Sequence, residues 1–244
     1  MVSMVTEHQQ WLAQLEKKSM EKQEQFMNDI ASKLRRPRQR HAPTQPFRGA
    51  PDFWTELEWD EEKRIQAFTD NFVSVGAHIA RVQNMEEVSQ FIANKSHELS
   101  ARYIIRQNEQ ALQDLGLEEQ LPDVQISVWN SQADENWKAR AAEADIGVVM
   151  ADYATAYTGS VTVLSSPEKG RSVSLLPTVL IIIIPVDRLY TRLGETLDRF
   201  DEVGRENLPA GIHFISGPSR SSDIENDLTI GVHGPGIVYG LIMG

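Results

Sequence analysis

The segment Val179 to Val186 is apolar apart from Pro185, and it constrains the fold more than any other stretch of the chain. Eight residues fall far short of the roughly 18 that a membrane-spanning helix needs. β-Branched residues without polar alternation instead mark a strand covered on both faces, as in parallel sheets whose crossovers are helices. The surrounding chain alternates in the same sense. Glu61 to Val75, Met85 to Leu99, Glu109 to Leu115, Asp134 to Ala144 and Asp187 to Glu202 have helical period. Between and after them, Ala77 to Val82, Ala101 to Arg106, Val124 to Val128, Ile146 to Met150, Ser160 to Ser165, Ile212 to Ser216 and Ile237 to Ile242 read as strands. Strands alternating with helices predict an α/β fold, a mainly parallel sheet flanked by helices.

The first 50 residues differ from the rest. Trp11, Leu12, Leu15, Phe26, Ile30 and Leu34 recur at helical spacing in a Glu-, Gln- and Lys-rich background, which predicts an amphipathic helix from about residue 4 to 35. Its apolar stripe needs a cover, most simply its own chain or a second subunit, so a homo-oligomer is expected. A basic linker follows, with six Lys or Arg and no acidic residue between Lys33 and Arg48, and with Pro37, Pro43, Pro46 and Pro51 to keep it extended. The domain division is therefore 1–50 for helix and linker, and 51–244 for the α/β domain.

Residues 1 to 50 carry nine Lys or Arg against five Asp or Glu, a net of +4 that leaves −15 for the remainder of a chain whose formal charge is −11. An acidic body is a poor nucleic-acid surface, because phosphate binding needs a basic face. There is no cysteine, so no disulfide, thiol nucleophile or thiolate-held iron–sulfur cluster can form. Met1 to Gln10 lacks the apolar core of a secretion signal, and a cytoplasmic location is expected.

The candidate binding residues cluster in the last third. Gly217-Pro218-Ser219 opens a segment running to Ser222-Asp223-Ile224-Glu225, read as following a strand and preceding a short helix. Such a helix start, beside Ser219 and Arg220, would cradle an anion. The same residues would equally form a capping box from Ser222 and Glu225 with no ligand. His233, between glycines in Gly231-Val232-His233-Gly234-Pro235, offers a titratable contact or simply a turn hydrogen bond. Thr158-Gly159-Ser160 binds an anion or makes a tight turn, and Arg171 either clamps a carboxylate or is solvated. No spacing matches a metal motif, a phosphate loop, a dinucleotide fingerprint or a serine elbow. If these loops follow the strands of a parallel sheet, they gather at its carboxyl edge and share a crevice.

Several of these segments in order resemble the lactate-utilisation protein C family with its LUD domain. The residues that carry the likeness are Asp145-Ile146-Gly147, Thr158-Gly159-Ser160, the segment Gly170 to Pro177, Gly217-Pro218-Ser219, Asp223-Ile224-Glu225 and Gly231-Val232-His233-Gly234-Pro235. The resemblance implies a fold like the phosphosugar isomerases and CoA transferases. It also implies a setting in which lactate is oxidised to pyruvate beside two iron–sulfur proteins. One departure stands out, because Tyr157 occupies a position before the Thr-Gly-Ser turn where the family usually has an acidic residue. The expected function is a cytoplasmic accessory component of iron–sulfur-dependent L-lactate oxidation. It would bind a small anionic ligand or partner proteins, with the clusters on those partners and no cofactor on this chain. The alternative is a stand-alone isomerase, CoA-transferase or cyclo-ligase-like enzyme for a phosphorylated or carboxylated small molecule.

Overall fold

The computed structural model describes residues 2–38, 40–41, 57–130, 134–224 and 227–244. The chain divides into two compact units, Met1–Pro51 and Asp52–Gly244. In the first, α1 (Val2–Lys33) is a continuous 32-residue helix. Arg38 turns back onto it, donating to Glu24 Oε1 at 3.0 Å and Asn28 Oδ1 at 3.3 Å. Trp11, Leu15, Phe26 and Leu34 are exposed. Most of the basic linker, with Pro43, Pro46, Arg48 and Pro51, lies outside the described residues.

The second unit begins with α2 (Glu61–Ser74), where the Asp60 carboxylate accepts from Lys63 N–H at 2.8 Å and caps the first turn. Next come β1 (His78–Val82), α3 (Met85–Glu98) and β2 (Tyr103–Arg106). The short helices α4 (Gln110–Gln113) and α5 (Leu117–Gln120) lead to β3 (Gln125–Val128), α6 (Trp137–Glu143) and β4 (Ile146–Met150). The chain then forms β5 (Tyr153–Thr155), β6 (Ser160–Leu164), α7 (Arg171–Leu175) and β7 (Val179–Pro185). After a 3-10 turn at Val186–Arg188 come β8 (Leu189–Tyr190), α8 (Leu193–Val203) and β9 (Ile212–Ile215). A hairpin of β10 (Arg220–Ile224) and β11 (Asp227–Ile230) precedes the last strand, β12 (Ile237–Met243).

Six strands form the central sheet in the order β3-β2-β4-β7-β12-β1, and every neighbouring pair is parallel. The apolar run Val179–Pro185 is β7, near the middle, with all seven residues buried. Leu180, Ile182 and Ile184 pack into one core, whereas Val179, Ile181 and Ile183 pack into the other. That alternation is what a strand sandwiched between two helical layers requires. Helices α3, α4 and α5 cover one face through Val88, Ile92, Leu112 and Leu117. The other face is covered by α2, α6 and α7, together with a second sheet of order β8-β5-β6-β9.

The sequence reading misses three features. The segment Arg220 to Ile224 is a strand paired antiparallel with β11, with Ser221 opposite Thr229, rather than a turn before a helix. No helix therefore starts at Ser222, and the β-branched residues on both arms favour the extended ladder. Asp187 to Glu202 is broken, since the chain makes a 3-10 turn and β8 before α8 begins. The second sheet was not foreseen as a sheet, because β5 and β8 have three and two residues and carry no readable period.

Candidate functional site

The predicted site residues fall in three places. Thr158, Gly159 and Ser160 form the turn from β5 into β6, pressed against the last turns of α2. Gly159 has φ +56°, and a methyl group there would lie 2.7 Å from Asn71 Cβ and 2.9 Å from Phe72 N. Asn71 Nδ2 donates to the carbonyls of Ala156 and Tyr157 at 2.9 and 3.1 Å. Thr158 is exposed, while Ser160 is buried and donates to the Thr158 hydroxyl. This turn holds the small sheet onto α2.

Gly217-Pro218-Ser219 and Gly231 to Pro235 make one structure. Ser219 N–H donates to Pro235 O at 2.9 Å, and Gly231 N–H donates to Ser219 O at 2.9 Å. Beside them lies a cavity of about 590 Å³, lined by Leu175, Leu176 and Thr178 on one side and by the 230–234 turn with Gly236 on the other. His233 is exposed and is the titratable side chain of that lining. Leu176, Ile230 and Val232 are exposed around it, giving an apolar rim. Asp223 contributes its backbone to β10, and Glu225 lies outside the described residues.

This cavity is not at the carboxyl edge of the sheet. Thr178 and Gly236 immediately precede β7 and β12, and Gly236 N–H donates to Thr178 O at 3.0 Å. The cavity therefore sits at the amino ends of those strands. The reason is topological, since the turn leaves the β10–β11 hairpin and leads into a strand of the main sheet.

Arg171 opens α7 and lines no part of that cavity. Its Cδ, His213 Nε2 and Ser165 Oγ all lie within 3.2 Å of where a Cβ on Gly211 would stand. Burial first, and the Arg171 charge second, hold the His213 imidazole below its ordinary value. Two motif residues, Asp145 and Gly147, are structural. The Asp145 carboxylate accepts from Arg102 N–H and Tyr103 N–H at 2.8 and 3.0 Å and fixes the start of β2. Gly147 lets α7 lie against β4, because a methyl group there would be 2.2 Å from Val173 O.

The carboxyl edge holds a different cluster. The chain passes from β2 outward to β3 and then returns to β4 on the other side of β2, so the order reverses between β2 and β4. Open α/β sheets present a crevice at such a reversal. Glu109 follows β2, Asp152 follows β4, Arg188 follows β7, and Lys169 arrives on the loop after β6. Lys169 Nζ is 2.6 Å from Asp152 Oδ1 and 3.6 Å from Glu109 Oε1. The other Asp152 oxygen accepts from Leu164 N–H at 2.7 Å. Arg188 Nη1 donates to Ala151 O at 2.7 Å. Two further bonds hold the lysine loop, from Asn108 N–H to Glu168 O and from Trp129 Nε1 to Pro167 O, both 2.9 Å.

Burial pushes the Glu109 carboxyl above its ordinary range; Lys169 opposes the shift, Asp152 adds to it, and Arg188 opposes it. A perturbed carboxyl beside a lysine at a strand reversal is a functional candidate with a stated physical cause. The sequence reading singles out Lys169, in Lys169-Gly170-Arg171, but not Glu109, Asp152 or Arg188, which belong to no motif. The signal it could have used is an acidic residue within three positions of the ends of β2 and β4. Among the described residues, no group of three or more His, Asp or Glu converges as a metal ion would need.

The sequence profile of the LUD domain matches residues 65–243. A lactate utilization protein C from Halalkalibacterium halodurans is 35% identical over 219 residues, which cover 88% of this chain and 95% of that protein. One from Bacillus subtilis strain 168 is 30% identical over 236 residues, covering 90% of this chain and 95% of that protein. A crystal structure of a DUF162 family protein from Deinococcus radiodurans superposes with a TM-score of 0.56 at 19% identity, covering 76% of this chain and 99% of that one. At that identity the likeness concerns the fold alone. The profile match spans both helical layers and all six strands of the central sheet, and the chain belongs to the LUD domain family.

Proposed function

We propose that this chain serves lactate utilisation as an accessory component of an iron–sulfur-dependent L-lactate oxidation system, binding a small organic anion and contacting the cluster-bearing proteins. The observation that carries the reading is the near end-to-end relation to proteins named for lactate utilisation, at 35% identity over 95% of one of them. The absence of cysteine from the sequence supports a reading in which any thiolate-held cluster sits on a partner protein. The exposed rim of Leu176, Ile230 and Val232 around His233 supports a partner contact. A second copy of the chain is the simplest cover for the exposed stripe of α1. The working location is the cytoplasm.

Deleting the gene and complementing it in the source organism tests this reading. Growth on L-lactate as sole carbon source should be lost and growth on glucose kept. The wild-type chain should restore growth, and Val232→Glu should restore it poorly. Unimpaired growth of the deletion strain on L-lactate would overturn the reading.

A further inference from the structure

The cluster at the carboxyl ends of β2, β4 and β7 has unmet hydrogen-bonding capacity. Glu109 Oε1 is buried without a donor, and so is Oε1 of Gln107, a residue only 1% exposed. Folded proteins rarely leave buried acceptors unpaired, and such groups mark where a water, ion or ligand belongs. Strand alternation places Gln107 on the same face as Ile105, which is the face covered by α7 and the small sheet. Lysine has three donors. Lys169 uses one on Asp152 and stands too far from Glu109 for a hydrogen bond. Arg188 brings a second cation to the same edge. Cations suited to a carboxylate thus adjoin acceptors that lack a hydrogen-bond donor and suit a hydroxyl, Glu109 having only the 3.6 Å ion pair with Lys169, at the strand reversal where open sheets bind ligands.

We propose that this edge binds a small acid bearing a hydroxyl beside its carboxylate, with Lys169 and Arg188 holding the carboxylate and Gln107 and Glu109 facing the hydroxyl. The proposal rests on the reading that the chain binds a small organic anion, and adds the site and the chemical class. A consequence follows from charge. Glu109 faces Lys169, Asp152 and Arg188, and burial already favours its protonated form. A second anion beside it favours that form further, so binding draws a proton onto Glu109.

Calorimetry on the full chain with L-lactate, propionate and pyruvate tests the site. L-Lactate should bind at least about tenfold more tightly than propionate, which lacks the hydroxyl, with pyruvate between them. Its binding enthalpy should depend on the ionisation enthalpy of the buffer, reporting proton uptake. Lys169→Met should weaken L-lactate by about tenfold or more. Because that variant leaves Asp152 unpaired, Glu109→Gln carries the test if it fails to fold. Glu109→Gln should abolish the proton uptake without loss of thermal stability, and His233→Ala should leave L-lactate affinity unchanged. Equal affinity for propionate and L-lactate would overturn the site, as would loss of binding in His233→Ala rather than Lys169→Met. So would no detectable L-lactate binding, even where gene deletion abolishes growth on L-lactate and the wider reading stands.

Discussion

Glu109 is held by groups that act on its proton in opposite directions. Burial and Asp152 favour the neutral acid, and Lys169 and Arg188 favour the carboxylate, with burial the largest influence. Its carboxyl therefore holds a proton more tightly in the folded chain than in the unfolded one, where about 4.3 is ordinary. The stability this group contributes is complete below that unfolded value and is lost as pH rises through the raised folded one. Glu109→Gln removes the titration. The melting temperature of the variant relative to wild type should become more favourable between pH 4 and pH 8. A constant or shrinking difference across that range, measured by thermal denaturation, would show that burial does not control this carboxyl. Beyond its place just after β2, nothing local marks Glu109, because its environment is assembled from Asp152, Lys169 and Arg188, far along the chain. Turn residues such as Gly159 were legible as turns, since glycine beside hydroxyls is a local signal. Their partner, Asn71 on α2, was not.

Among the elements, α7 shows how little sequence can specify a position. It has five residues, too few for helical period to be read, yet it lies against β4 and supplies Leu175 to the cavity wall. Gly147 makes this approach possible, because any side chain there would meet Val173 O. Gly147→Ala should cost about 1–3 kcal/mol in urea denaturation, the scale of overpacking a core. A loss under about 0.5 kcal/mol, the range of surface changes, would mean that α7 shifts freely. Long periodic elements behaved differently. The helices α2 and α3 and the strands β4, β7 and β12 appear within one or two residues of where periodicity puts them, because their apolar patterns answer directly to the two cores. The β10–β11 hairpin was misread because Ser221 and Ser222 suit a helix cap and an extended ladder alike, and cross-strand pairing with Thr229 decides between them.

At the scale of the whole molecule, the two edges of the parallel sheet differ in chemistry. The amino edge carries Ser219, His233 and an apolar rim, and the carboxyl edge carries Gln107, Glu109, Asp152, Lys169 and Arg188. The last third of the sequence pointed to the first edge through its glycine-rich turns. The second emerges only when the strand order is known, since it depends on where that order reverses. On the proposed function, a chain without cysteine would depend on other proteins for any thiolate-held cluster. Anaerobic reconstitution tests that claim most directly, by following L-lactate-dependent reduction of an artificial electron acceptor. The purified chain alone should show no turnover. The cluster-bearing partners should be active with the chain and clearly slower without it. L-Lactate oxidation by this chain alone, or an equal rate from the partners without it, would contradict the account.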